Sequence, residues 1–378
     1  MTIVLRSDRE TVPEQGECRY GEGVIRRWLP LGVVATLAGL SACGSPEANR
    51  SVAQTEPAGA PPTTVFVSEA TTSTVAPTTT VASTTTTTVP VQLTGLFDDV
   101  ADAAALGPVP DGVPLGGAAY SEPALYDRGC HAGVGAVTPI FCEFGDLTSD
   151  TVIVFTGDSH AAQWFGALEV AARTNRWKLV SMTKTSCPAA DMTTLRREDG
   201  ARDGAELEYP ECNEFRRNGW EAIRELGPDL VIYPMLTRYK QTNGGGLEGW
   251  RAGLGRSIQN IAGSGTKVLI IGETPKTSGA DIPPCIRANR TDVSKCSNAR
   301  SAAEFPKKIE MFEQVAAEHG ATFVNPVDWF CTAEVCPVLI NGRIVYRDYN
   351  HVSDQFSRYR APQMAAAIEL ALSGPDAF

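Results

Sequence analysis

Five short runs rich in β-branched and other apolar residues, at 151–156, 177–182, 229–233, 267–271 and 321–325, recur along the chain with longer amphipathic stretches between them. No other feature constrains the fold as strongly. A strand that is apolar along most of its length has both faces covered, and stretches with helical periodicity between such strands are crossover helices. Helices are expected over 160–175, 213–226, 247–262, 302–319 and 353–372, with Gly227-Pro228, Gly263 and Gly320 as stop signals. Residues 337–346 read as a hairpin turning at Asn341-Gly342. The expected architecture is a three-layer α/β/α domain over residues 146–373, doubly wound on a five-stranded parallel sheet. In such a sheet ligands sit at the carboxyl ends of the strands.

The first third of the chain has a different composition. Arg26 and Arg27 precede an apolar stretch over 29–40, followed by Leu40-Ser41-Ala42-Cys43. As a helix this stretch spans about 18 Å, too short for a hydrocarbon core of about 30 Å, so it reads as the core of an export signal over 1–42. Its ending resembles the bacterial lipobox, which implies lipidation of Cys43 and anchoring at the outer face of the cytoplasmic membrane. Between Thr71 and Thr88 eleven of eighteen residues are threonine and none is charged. Residues 43–94 lack the apolar surface to offset their chain entropy and are expected to be a disordered tether. Residues 95–145, rich in Ala, Gly and Pro, read as a peripheral segment.

Charge and cysteine usage exclude several functions. Lys and Arg total 33 against 44 Asp and Glu, a net charge of −11, the wrong sign for binding nucleic acid through its phosphates. Four histidines and no Cys-x-x-Cys spacing argue against a multi-histidine or thiolate zinc site, so neither metal nor cofactor is expected. Apart from Cys18 and Cys43, eight cysteines form four near neighbours along the chain: Cys130 with Cys142, Cys187 with Cys212, Cys285 with Cys296, and Cys331 with Cys336. In an exported domain an even count reads as disulfides. Of the 105 connectivities open to eight cysteines, the sequential one is expected because each pair brackets a loop-like segment.

Two short segments carry the chemistry. Gly157-Asp158-Ser159-His160 follows the first strand, which puts the Ser159 hydroxyl and backbone N–H at a strand-to-helix turn on the sheet's carboxyl edge. Asp348-Tyr349-Asn350-His351 stands just before the last helix, where a short turn lets the acid accept from one ring nitrogen while the other faces a serine. Together they resemble the first and last blocks of the SGNH (GDSL-like) esterases and acyltransferases, over about residues 125–373. The sequence is most similar to the SGNH domain fused to membrane acyltransferases of surface polysaccharides, through Gly-Asp-Ser-His with Ala161 and Trp164, Cys187-Pro188, and Asp348 to Ser353. The resemblance implies Ser159 as nucleophile, His351 as base and Asp348 as its orienting acid. It also implies an acylated envelope polysaccharide or small acyl ester as substrate, with a separate membrane acyltransferase as partner.

The chain departs from the family at two places. The family's second block gives a glycine N–H to the oxyanion hole, whereas here the loop reads Thr183-Lys184-Thr185-Ser186-Cys187, making Ser186 the candidate donor. The third block gives an asparagine, whereas the matching stretch runs from Tyr233 through Thr237 to Arg238. Thr237 or Arg238 is then the candidate replacement, with Arg238 also able to hold an anionic acyl or sugar group. His160 is either a packing residue or a substrate contact, and Trp164 is expected in the core. Two rivals remain: a binuclear metallophosphoesterase, suggested by Asp158-Ser159-His160, and a lipoprotein that keeps the fold to bind glycan or a partner. Hydrolase and transferase are not separated by sequence, because the same acyl-serine serves both.

Overall fold

The computed structural model describes residues 5–6, 100–197, 205–242, 245–261 and 265–374. Apart from Leu5–Arg6, the expected export signal, Cys43 and the tether lie outside the described residues. The five expected strands are present as Val152–Gly157, Lys178–Lys184, Leu230–Pro234, Lys267–Ile271 and Thr322–Val324. All are parallel, and their spatial order is second, first, third, fourth, fifth.

The sheet is wider than the five strands expected. His131–Ala132 (β1) pairs parallel with the carboxyl end of Lys178–Lys184, and Phe141–Gly145 (β2) pairs antiparallel along the rest of it. Leu5–Arg6 lies parallel beside β2. We number the five parallel strands β3 to β7 in chain order. Strand β2 lies in a Pro- and Gly-rich context that hides it from a sequence reading. It buries Phe141 in one core and Cys142 and Phe144 in the other, and leaves Glu143 half-buried, 2.5 Å from Lys178.

Alternate residues of the central strands feed two cores. Ile153, Phe155, Leu230, Ile232, Leu269 and Ile271 pack on one face, beneath Phe165–Asn175 (α2) and Ala361–Ser373 (α7). Val154, Val231, Tyr233, Val268 and Ile270 pack on the other, against Pro210–Leu226 (α3), Gly246–Ile261 (α4) and Pro306–His319 (α5). Burial on both faces explains why these strands lack polar alternation. Trp164 lies in the first core, edge-on to Trp329 and Phe330.

The expected first helix is broken into Ser159–Ala162 (α1) and α2. The expected last one is broken into Asp354–Tyr359 (α6) and α7, with Pro362 in the first turn of α7. A proline there has no N–H to continue the preceding helix, so the chain restarts at Arg360. The hairpin forms as Leu339–Ile340 against Arg343–Ile344, with Asn341 and Gly342 both at positive φ, as a primed two-residue turn requires. Disulfides join Cys130–Cys142, Cys187–Cys212, Cys285–Cys296 and Cys331–Cys336, the sequential pairing.

Candidate active site

The first two parallel strands and the loop before α6 meet at the carboxyl edge of the sheet. Strand β3 ends at Gly157, whose φ of 143° and close surroundings both require glycine. A Cβ there would lie 2.9 Å from Ala161 Cβ. Asp158 then caps α1, its Oδ1 accepting the N–H groups of His160 (2.9 Å) and Ala161 (3.3 Å). The N–H of Ser159, first in the helix, has no intrahelical partner and remains available to a ligand. Asp158 Oδ2 accepts the Tyr239 hydroxyl at 2.5 Å. Burial pushes the Asp158 carboxyl up, against the opposing pull of Tyr239 and the helix N–H groups.

On the opposite side, His351 Nε2 lies 2.9 Å from Ser159 Oγ, and its Nδ1 lies 2.7 Å from Asp348 Oδ2. Asp348 Oδ1 accepts the backbone N–H groups of Asn350 (2.8 Å) and His351 (2.7 Å), which fixes the carboxylate plane. Partial burial works to raise the Asp348 carboxyl. The hydrogen bond and charge of His351, with those two N–H groups, outweigh it and hold the group below the usual carboxylate range. Asp348 is therefore ionised at neutral pH and accepts the Nδ1 proton, which leaves an Nε2 lone pair facing the serine hydroxyl.

What ties the two halves together was not legible in the sequence. Gln163, buried at the end of α1, accepts the Val352 N–H through Oε1 at 2.8 Å, fastening the loop of His351 to the helix that starts with Ser159. The His160 ring packs on that of His351, with centroids 4.3 Å apart. Its full burial holds the imidazole well below its ordinary pKa, with the His351, Arg238 and Arg347 charges acting the same way, so it stays neutral. A single polar side chain one turn beyond a nucleophile gives no periodic signal, which is why Gln163 escapes a sequence reading.

Among the oxyanion candidates, Ser186 and Thr237 separate sharply. Ser186 takes up a left-handed conformation (φ 54°) on the cleft wall, where the family's second block has glycine. The N–H groups of its neighbours Thr185 and Cys187 go to the carbonyls of Ala132 and Lys184. Among the described residues none accepts the Ser186 N–H. Thr237 is excluded as a donor, since both its N–H (2.5 Å) and its hydroxyl go to Glu273, which Lys308 neutralises at 2.8 Å. That buried cluster holds the chain after β5 in place. Arg238 is exposed and lines the cleft.

The cleft is about 720 Å³ and is also lined by His131, a residue outside the sequence motifs. His131 Nδ1 lies 2.9 Å from Thr183 Oγ1, and its ring packs on Tyr126. Burial, then the charges of Arg347, His351 and Lys184, push it down to about 4. The unfolded chain protonates this ring near pH 6.5 and the folded one near 4, so stability conferred by the neutral ring is lost as pH falls through that window. The unfolding free energy of the wild type minus that of His131→Gln is expected to drop by on the order of 3 kcal/mol between pH 6.5 and 4. Urea titration at each pH measures it, and a difference that stays constant would show a charged His131 in the fold.

Residues 129–366 match the SGNH domain family described as fused to AT3 domains, which covers more than half of the chain. The chain belongs to this SGNH family. No curated protein matches it. Among solved structures it is similar to the periplasmic domain of a lipopolysaccharide acetyltransferase from Salmonella ser. Paratyphi A, at 17% identity over 68% of this chain and 92% of that one, with a TM-score of 0.49. It is also similar to a GDSL-like lipase from Bacteroides thetaiotaomicron (15%, 59% and 88%, TM-score 0.35) and to an acetyl-xylooligosaccharide esterase from Geobacillus (12%, 60% and 97%, TM-score 0.35). Ser159 and the segment from Asp348 to His351 fall inside the matched span.

Proposed function

We propose that this protein is an exported serine esterase or O-acyltransferase that acts on acyl esters of cell-envelope glycans through an acyl-serine intermediate. The observation that carries the reading is the unbroken line from Asp348 through His351 to Ser159, at 2.7 and 2.9 Å. His351 takes the Ser159 proton as Oγ attacks the ester carbonyl. The Ser159 N–H and the Ser186 N–H hold the tetrahedral oxyanion. Collapse returns the proton from His351 to the leaving alcohol and leaves an ester on Ser159. Water then releases the acid, or a sugar hydroxyl takes the acyl group, with His351 again accepting the incoming proton.

Lipidation of Cys43 and a flexible tether over 43–94 belong to the same reading, in which the domain works at the outer face of the cytoplasmic membrane. The link to AT3 domains in the family supports a separate membrane acyltransferase as partner. Thr237 supports a second reading, a glycan-binding SGNH lipoprotein, because this position gives no oxyanion donor.

Fluorophosphonate labelling of the purified full-length protein separates the two. An activated serine labels in the parent and fails to label in Ser159→Ala and His351→Ala. Folded parent protein that stays unlabelled would leave the binding-module reading standing.

A further inference from the structure

The charges around the cleft do not balance. Arg197, Arg238, Lys240 and Arg347 line it with the carboxylates Glu122 and Glu206. Arg347 is 3.2 Å from Glu122, and Lys240 is 2.8 Å from Glu206, which also lies across a strand pair from Arg197. Among the described residues Arg197 and Arg238 are left without an ion pair, and the second of them follows directly on Thr237. Arg238 is exposed in the cleft, and among the described residues no carboxylate pairs with it. On a chain of net charge −11, an unmatched guanidinium beside a candidate nucleophile is a local reversal of sign.

Its backbone is held on both sides. The preceding residue, Thr237, is bound to Glu273 and through it to Lys308. The following residue, Tyr239, is bound through its hydroxyl to Asp158, the cap of the helix that carries Ser159, and to the Ser186 side chain. The first of these fastenings is buried and the second part-buried. Arg238 therefore extends from a segment fixed relative to the nucleophile, while its planar fork of donors stays open to the cleft.

We propose that the cleft takes an acyl ester bearing a carboxylate, and that Arg238 selects it. This rests on the acyl-serine reading above. The carboxylate belongs either to the acyl chain, as in a dicarboxylic half-ester, or to the sugar, as in a uronic acid, and the recognition chemistry is the same for both.

Three esters test it on the full-length protein: O-acetyl methyl glucoside, its O-succinyl counterpart, and O-acetyl methyl glucuronide. The kcat/KM of one charged ester is expected to exceed that of the neutral one by about 10-fold or more, the size of a charge-assisted hydrogen bond. Arg238→Gln is expected to bring that ratio within about threefold of unity, and Arg238→Lys to restore part of it. The favoured charged ester identifies which portion carries the carboxylate. A parent that prefers the neutral ester, or a preference that survives Arg238→Gln, overturns the proposal.

Calorimetric binding of the same esters to Ser159→Ala reads Arg238 independently of turnover. Charge-selective binding that Arg238→Gln abolishes, without any turnover by the parent, would sink the acyl-serine reading and keep the carboxylate site. Turnover without charge selectivity would do the reverse.

Discussion

Asp348→Asn is expected to lower kcat/KM for ester hydrolysis by about 10⁴ while the protein stays folded. An asparagine can still accept the backbone N–H groups of Asn350 and His351 through Oδ1, so the loop keeps its shape. The change falls on the other atom. Asp348 Oδ2 now accepts a proton from His351 Nδ1, whereas an amide nitrogen there donates one. The imidazole then carries its proton on Nε2, facing Ser159 Oγ across 2.9 Å with no lone pair to receive the serine proton. Steady-state rates with a small aryl ester, beside Ser159→Ala as the floor, measure the loss. A variant within about tenfold of the parent would mean that His351 does not act through its Nε2 lone pair.

The parts of this site differ in how far sequence revealed them, and the difference follows from the physics of each part. The nucleophile and the Asp-His pair were legible because each needs particular residue types at fixed short spacing beside a strand or helix end. Gly157-Asp158-Ser159 combines a glycine required by φ, a cap and a hydroxyl in three consecutive residues. Four of the five parallel strands were legible for a similar reason, since double-sided burial leaves a continuous apolar run; the fifth, Thr322–Val324, lies at the sheet's edge with only Val324 buried. Strand β2 was not, because its apolar residues are interrupted by Glu143 in a Pro- and Gly-rich context, and a segment such as Phe141–Gly145 takes its identity from the neighbour with which it pairs.

Long-range polar partners are a different case. Gln163 meets Val352 across 189 positions, Tyr239 meets Asp158 across 81, and Thr237 meets Glu273 across 36. No local pattern encodes such pairs. Position alone made Thr237 a donor candidate, and only its partner shows that its hydrogens are spent. Ser186 stays a candidate because its φ of 54° reproduces the backbone path that a glycine would take.

Lys184→Met is expected to destabilise the domain by about 3 kcal/mol or more and to disturb the site from behind. Lys184 is fully buried at the end of β4, and its ammonium donates to the carbonyls of Gly133 (2.7 Å), Val134 (2.5 Å) and Ala136 (2.7 Å), above the rings of Tyr209 and Phe215. Burial lowers its pKa to about 8, so at neutral pH it still has three protons for three carbonyls. A thioether of similar length fills the space and donates nothing, leaving those carbonyls unpaired, at about 1–3 kcal/mol for each that stays dry. Arginine is not expected to rescue the loss, because a planar fork does not converge on three acceptors as an ammonium does. The consequence for chemistry runs through the two loops that Lys184 joins. One follows His131, and the other continues directly into Thr185 and Ser186, where Tyr209 adds a hydroxyl to the Thr185 carbonyl at 2.8 Å. Freed from its anchor, Ser186 loses the fixed backbone that holds it on the cleft wall. The Met variant is therefore expected to label more slowly at Ser159 even at temperatures where circular dichroism shows it folded. Parent-like stability by urea titration would show that water satisfies the three carbonyls. Parent-like labelling in a destabilised variant would remove Ser186 from the oxyanion site.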